Sequence, residues 1–403
     1  MLSEFEKISN KILLGKGEKN KSVKKKGNDI FSITENYLSQ KYDLRRNTVS
    51  FEVEISPKKK NDWKVANLSD IFVELHKAGI TITETKLKSL FRSSFIADYN
   101  PFLAYFESLP EPPDPQKDYI QELAKHIDFP DWDIQTDFFI EFRKTLIRCV
   151  ACSLGDGFNK QCFVLVSPIQ NIGKTSFIKF LCPPALRDYY TEEMSFDKDG
   201  LIALGTNFII NLDELSVIAK SDLNTLKTYF SKDSIKVRLP YEAKASTVKR
   251  VCNFFASTNN EDFLNDPTGS VRWIAFYVRK INFDYAQNVD INHVWWQAYQ
   301  LYKAGERGKM TQQDISKNEE RNRQFTKITP EMELISRFFE KDETQNSFLT
   351  TSEIYEYLMQ MSSVKLTHYQ IGRALQMLKY TRSSKRLPTK DFPVYGYYIK
   401  KVQ

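Results

Sequence analysis

The residues best equipped for chemistry are Gly173-Lys174-Thr175 and, well downstream, Asp213-Glu214. A lysine and a hydroxyl residue directly after a glycine form a set suited to binding phosphate. The glycine permits close backbone approach, Lys174 can reach the β- and γ-phosphates, and the Thr175 hydroxyl is a hard oxygen ligand for Mg²⁺. The backbone around Asn171, Ile172, Gly173, Lys174, Thr175 and Ser176 then aims helix N-terminal N–H groups at the anion. Two adjacent carboxylates are costly unless a cation or solvent compensates them. Asp213 therefore reads as a support for Mg²⁺ through water, and Glu214 as the group that polarises an attacking water. Asn259, in Ser257-Thr258-Asn259-Asn260, has the chemistry to hold that water or the γ-phosphate.

These groups need strands to carry them. Cys162 to Val166 is an apolar run with the length and branching of a buried parallel strand, and a short polar loop leads from it to Gly173. Residues 207–212 form a second apolar strand ending in the acid pair. Val251 to Ala256 forms another ending near Asn259, and Trp273 to Val278 one more. Helices are expected over 213–219 and Ser221 to Phe230. A strand over Ile235 to Leu239 is followed by a basic insert, Pro240 to Arg250, that would project from one face.

The chain has 403 residues, room for two or three domains, and 41% hydrophobic content consistent with a folded protein. A formal charge of +7 favours a polyanionic partner without proving one. The 5 cysteines form no disulfide framework. Cys149 and Cys152 have Cys-x-x-Cys spacing, but they lie in an apolar run and read as buried helical residues rather than zinc ligands. No signal segment and no uninterrupted span of about twenty apolar residues occurs, so a cytoplasmic location away from membranes is expected.

Residues 1–28 read as a flexible basic arm and 29–61 as a small α/β segment with a helix over Ile30 to Gln40 and a strand over Thr48 to Ile55. Residues 62–157 read as a helical collar-like domain, including a helix opened by Thr83 as cap. Residues 158–310 form the α/β core, 311–328 a charged linker helix, and 329–403 a small C-terminal domain. Three helices followed by a basic hairpin make that last domain either a winged helix or a plain helical cap. The pair Trp295-Trp296 reads as core.

With these stretches in hand, the sequence resembles the virulence-associated E family, primase-helicase-type ATPases of phages, plasmids and integrated mobile elements related to superfamily 3 helicases. The resemblance covers roughly Tyr99 to Gly308 and rests on Tyr99-Asn100-Pro101, Asp213-Glu214-Leu215, Val237-Arg238-Leu239-Pro240-Tyr241, Phe263 to Gly269 and Arg272-Trp273. It implies an AAA+-like P-loop NTPase core, with Lys174 and Thr175 as Walker A, Asp213 and Glu214 as Walker B, and Asn259 as sensor 1. Arg272 would be the arginine finger. It also implies ATP with Mg²⁺, single- or double-stranded DNA as partner, and a ring of subunits, hexameric in related motors. The 236–250 hairpin would face the pore, with Lys244 and Lys249 as phosphate contacts. Tyr241 is a further DNA candidate, and Arg238 and Arg250 either touch DNA or brace the hairpin or subunit interface.

Three features depart from the family pattern. Pro168 stands where the loop's first Gly is expected, and its missing N–H removes one phosphate donor. Arg272 is a single arginine where relatives often show two. Only about 100 residues precede the helical region, too few for a primase domain, so no primer synthesis is expected and a separate primase of the same element would supply it. Two functions follow: an ATP-dependent DNA helicase or translocase, or an ATP-gated DNA-binding switch, in origin recognition or phage interference, that unwinds nothing.

Overall fold

The structure, a computed structural model, describes residues 29–215, 220–238, 244–264, 270–386 and 392–402. The basic arm over 1–28 and Tyr241 lie outside those residues, as does most of the helix expected over 213–219. The chain forms two compact units that divide between Tyr99 and Asn100.

Among the described residues, the first unit is a four-stranded sheet with three helices. Strands β1 (Tyr42–Asn47), β2 (Val53–Pro57), β3 (Lys64–Val65) and β4 (Ala97–Tyr99) lie in the order β3-β2-β1-β4, with β4 parallel to β1 and the other pairs antiparallel. The single strand expected over Thr48 to Ile55 is instead a turn and a strand. The Asn47 side chain accepts hydrogen bonds from the amides of Val49 and Ser50, an Asx turn, and Phe51 takes a left-handed φ of 62°. Helices Leu68–Lys77 and Glu84–Phe91 pack on this sheet through Ile71, Leu75, Leu87 and Leu90 around Leu38 and Ile55. The boundary expected at 61/62 thus cuts through one core. Thr83 does cap its helix, accepting from the Lys86 amide.

The second unit is built on a five-stranded parallel sheet of mixed α/β architecture. Strands β6 (Cys162–Val166), β7 (Tyr190–Thr191), β8 (Ile209–Leu212), β11 (Asn253–Thr258) and β12 (Trp273–Tyr277) run in the order β12-β6-β11-β8-β7. β6 and β11 are buried on both faces, as the unbroken apolar sequence of β6 requires. The helix Trp132–Ser153 covers the sheet with Phe138 and Phe142, which meet Phe163 and Phe276. Cys149 and Cys152 are buried within this helix. Trp295 is also buried, donating its indole N–H to the Leu181 carbonyl at 2.8 Å. A short antiparallel pair joins β5 (Ile127–Asp128) to β13 (Lys280–Ile281). A separate hairpin pairs β9 (Ser234–Val237) with β10 (Ser246–Lys249).

The charged helix expected as a linker, observed over Gln312–Asn322, does not stand apart from the core. It lies along edge strand β12, where Asn318 and Asn322 each donate to the Trp273 carbonyl and Arg321 donates to that of Ala275. Strand carbonyls at a sheet edge need partners, and these polar side chains supply them. The C-terminal part follows with helices Pro330–Phe338, Thr351–Met361 and His368–Met377, the second opened by a Thr350/Glu353 capping box. Its strands β14 (Phe339–Lys341), β15 (Phe348–Leu349) and β16 (Arg382–Lys385) each pair antiparallel with β17 (Val394–Lys401). Ile335, Ile354, Leu358, Ile371, Leu375 and Ile399 close a core of their own. Among the described residues no helix is long and apolar enough to cross a membrane.

Candidate active site

Parallel order places the carboxyl ends of β6, β8 and β11 along one edge of the sheet, where an open α/β fold presents its ligands. The loop leaving β6 starts at Ser167, whose amide donates to the Thr258 carbonyl. It passes through Asn171 in a left-handed conformation (φ 58°) and ends at Gly173 (φ 94°), the cap of helix Lys174–Leu181. A β-carbon on Gly173 would lie 2.6 Å from Cζ of Phe283. The backbone angle is what calls for glycine here, while a β-carbon would displace the tip of the half-exposed Phe283 ring.

Lys174 is 7% exposed and turns back under the loop. Its Nζ donates to the carbonyls of Ser167 and Ile169, each at 3.1 Å, and to Oδ1 of Asn259 at 2.7 Å. Burial pulls its pKa below the usual lysine value, and the nearby Asp213 charge opposes that shift. Proline at 168 is exposed and leaves both flanking carbonyls on the lysine. Next along the helix, the Thr175 hydroxyl donates to Asp213 Oδ1 at 3.0 Å. Ser257, on β11, donates to the same carboxylate oxygen and lies 3.2 Å from the Thr175 hydroxyl. Asp213 and Glu214 are exposed at the end of β8, and Glu214 holds a left-handed φ of 50°, a conformation that costs a non-glycine residue energy and clusters at functional sites.

Lys174, Thr175, Asp213 and Asn259 thus meet in one place, with Asn171, Ile172, Gly173 and Ser176 framing it and Glu214 beside it. Arg272 does not join them. It precedes β12, whose first residue pairs with Cys162 at the start of β6, whereas the loop follows the other end of β6. The five-residue strand separates them by about 16 Å. Arg272 instead reaches Ser231 Oγ at 3.5 Å and lines a cavity of about 380 Å³ with Phe158 and Lys160.

The basic candidates divide sharply. Arg250 is 1% exposed. Its guanidinium donates to the carbonyls of Tyr229, Phe230, Lys232 and Asn159 and lies over the Phe158 and Phe254 rings. It therefore braces the hairpin base and cannot meet a polyanion, which corrects its reading as a DNA contact. Lys249 is exposed but donates to the Gly155 carbonyl at 2.7 Å. Arg238 and Lys244 are exposed on either side of the hairpin tip.

Ser257 was not singled out from sequence. The signal was available, since residues two apart on a strand share a face, and Ser257 stands two before Asn259. Phe283 carried no signal, because nothing local to its sequence marks its approach to Gly173.

Residues 117–327, just over half the chain, match the virulence-associated protein E-like domain. No curated protein matches the sequence. Among solved structures, the apo structure of the NrS-1 C-terminal region is similar at a TM-score of 0.54 and 11% identity, over 92% of this chain and 99% of that one. A second structure of the same region, the A form, gives a TM-score of 0.50 at 12% identity, over 92% of this chain and 100% of that one. At this identity the likeness is one of fold.

Proposed function

This chain belongs to the virulence-associated protein E-like family, and from that premise we propose that it is an ATPase driving DNA unwinding or translocation in the replication of a mobile element. The observation that carries the reading is the convergence of Lys174, Thr175, Asp213 and Asn259 at the carboxyl ends of three adjacent parallel strands. In this reading the loop from Ser167 to Gly173 is a P-loop. The sheet order, counted along the chain as 5-1-4-3-2, is that of the AAA+-like core.

Nucleotide phosphates would lie against the N-terminal amides of helix Lys174–Leu181, where the helix dipole favours negative charge. Lys174 already faces three neutral acceptors, so its ammonium is positioned before any anion arrives. Thr175 and Asp213 offer a hydroxyl and a carboxylate 3.0 Å apart, a hard-oxygen pair that fits Mg²⁺. The ion would neutralise phosphate charge as bond order to the leaving group falls. Ser257 holds the Asp213 carboxylate in orientation. Glu214 would position and polarise the attacking water, and Asn259 would fix it against the γ-phosphate.

Arg272, at the far end of β12, cannot serve its own site. It would reach the site of an adjacent copy in a head-to-tail ring, the type of interface that closes by rotation. The hairpin bearing Arg238, Lys244 and Lys249 would face the central channel. The three C-terminal helices with the β16–β17 hairpin support the winged-helix assignment.

A subunit-mixing assay tests this reading. Lys174→Ala and Arg272→Ala proteins should each lack turnover. Mixed in equal amounts, they should recover activity, because an Arg272→Ala site facing a Lys174→Ala neighbour is complete at about a quarter of interfaces by random assembly. No recovery, or full activity of Arg272→Ala alone, refutes the shared site. Absence of hydrolysis in the wild-type chain, with or without single-stranded DNA, refutes the ATPase.

A further inference from the structure

A second cleft lies away from the loop, between helix Lys220–Phe230 of the core and helix His368–Met377 of the C-terminal part. Its volume is about 1270 Å³. Lys227 and Lys327 line the core side, and Arg373 and Arg382 line the other. Among the described residues that line the cleft, the carboxylate is Glu331, which is 6% exposed. A concave surface with charges of one sign concentrates counterions and their competitors. Tyr369, at the start of the C-terminal helix, lines the same cleft with 77% of its surface open to solvent. An aromatic side chain left this exposed gains nothing from burial, yet its ring face is free to stack.

We infer that this cleft binds single-stranded nucleic acid. Phosphates would run along Lys227, Lys327, Arg373 and Arg382, with an unpaired base stacked on Tyr369. Combining a cationic track with an open aromatic ring matches unpaired strands, whose bases are free to turn toward a ring. In a duplex the bases stack on one another and leave the ring unused. The site is distinct from the β9–β10 hairpin and needs no nucleotide.

The test is fluorescence anisotropy of a labelled oligothymidylate of about twelve nucleotides, titrated with the full chain in EDTA and without nucleotide, so that failure of the ATPase reading leaves the result interpretable. Tyr369→Ala should weaken binding about tenfold, and Tyr369→Phe should leave it unchanged. Arg373→Ala with Arg382→Ala should reduce the slope of log affinity against log salt by about 0.7 per lost phosphate contact. Three outcomes would overturn the inference: Tyr369→Ala binding as tightly as wild type, an unchanged salt slope in the double variant, or a preference for duplex of matching length. Loss of binding in Lys244→Ala with none in Tyr369→Ala would place the strand on the hairpin and overturn it as well.

Discussion

Replacing Arg250 by alanine should unfold the protein more readily and leave the salt dependence of any nucleic-acid binding unchanged. The guanidinium is 1% exposed and serves four backbone carbonyls, three of them (Tyr229, Phe230 and Lys232) around the end of helix Lys220–Phe230. A cation there also faces the negative end of the helix dipole. Each buried carbonyl left without its donor costs about 1–3 kcal/mol. These losses share one side chain and do not add fully, so the range for breaking a buried charged network, about 3–5 kcal/mol, is the better guide. For a unit this large, roughly 2–4 °C of Tm accompanies each kcal/mol, giving a fall of about 10 °C. Arg250→Lys should recover less than half, since an ammonium cannot reproduce the planar fork. Thermal unfolding read by intrinsic fluorescence measures this directly. A variant whose Tm stays within about 2 °C of wild type, but whose DNA binding loses salt dependence, would refute the bracing role and restore Arg250 as a phosphate contact.

Other outcomes follow from the site. Gly173→Ala should lower stability by about 1–2 kcal/mol from the left-handed backbone alone, with a smaller addition from displacing the half-exposed Phe283 ring, whose tip would lie 2.6 Å from the added β-carbon. Thermal unfolding of Gly173→Ala in a Phe283→Ala background should show only the first part, and no remaining cost would refute the strain argument. Nucleotide affinity should fall as pH rises, starting below the ordinary lysine range. Burial lowers the Lys174 pKa in the free site, bound phosphate favours the ammonium, and binding therefore takes up a proton above the lowered value. Equilibrium titrations at rising pH should show this decline in wild type and a flat response in Lys174→Ala. Ser257→Ala should cut kcat about ten- to a hundredfold with little change in KM, matching about 1.5–3 kcal/mol for a hydrogen bond to a charged group. An unchanged kcat in steady-state assays would show that Asp213 needs no such positioning.

Much of the parallel sheet was legible because buried strands write themselves as unbroken apolar runs. Cys162–Val166 appears with the bounds its sequence suggests, and β8, β11 and β12 differ from expectation by one or two residues. Strand β7 has two residues, too few for any periodicity to register. The charged composition of Gln312–Asn322 suggested solvent on all sides, and only the three-dimensional path of β12 shows why asparagines are buried there. Arg250 left two readings open, DNA contact or brace, for the converse reason. Sequence reports a charge, whereas burial depends on which carbonyls the fold leaves without donors. The loop chemistry was readable because Lys174 and Thr175 open a helix after an apolar strand, and Asp213 and Asn259 directly follow strands of their own. That Arg272 stands at the opposite end follows from β12 being parallel to β6, a pairing no local pattern encodes.

The helix along β12 has a consequence for how copies of this chain can meet. Asn318, Arg321 and Asn322 occupy carbonyls that would otherwise template an incoming strand, and the opposite border of the sheet, β7, offers only two residues. Both margins are thus poor seeds for continuing the sheet into a neighbour. Association by adding a strand to this sheet, the route that leads to fibrils, is disfavoured, and a ring built around it would be joined by side chains and loops. Such joints can slip and reseat without breaking backbone ladders, which is the kind of seam a cycling machine requires.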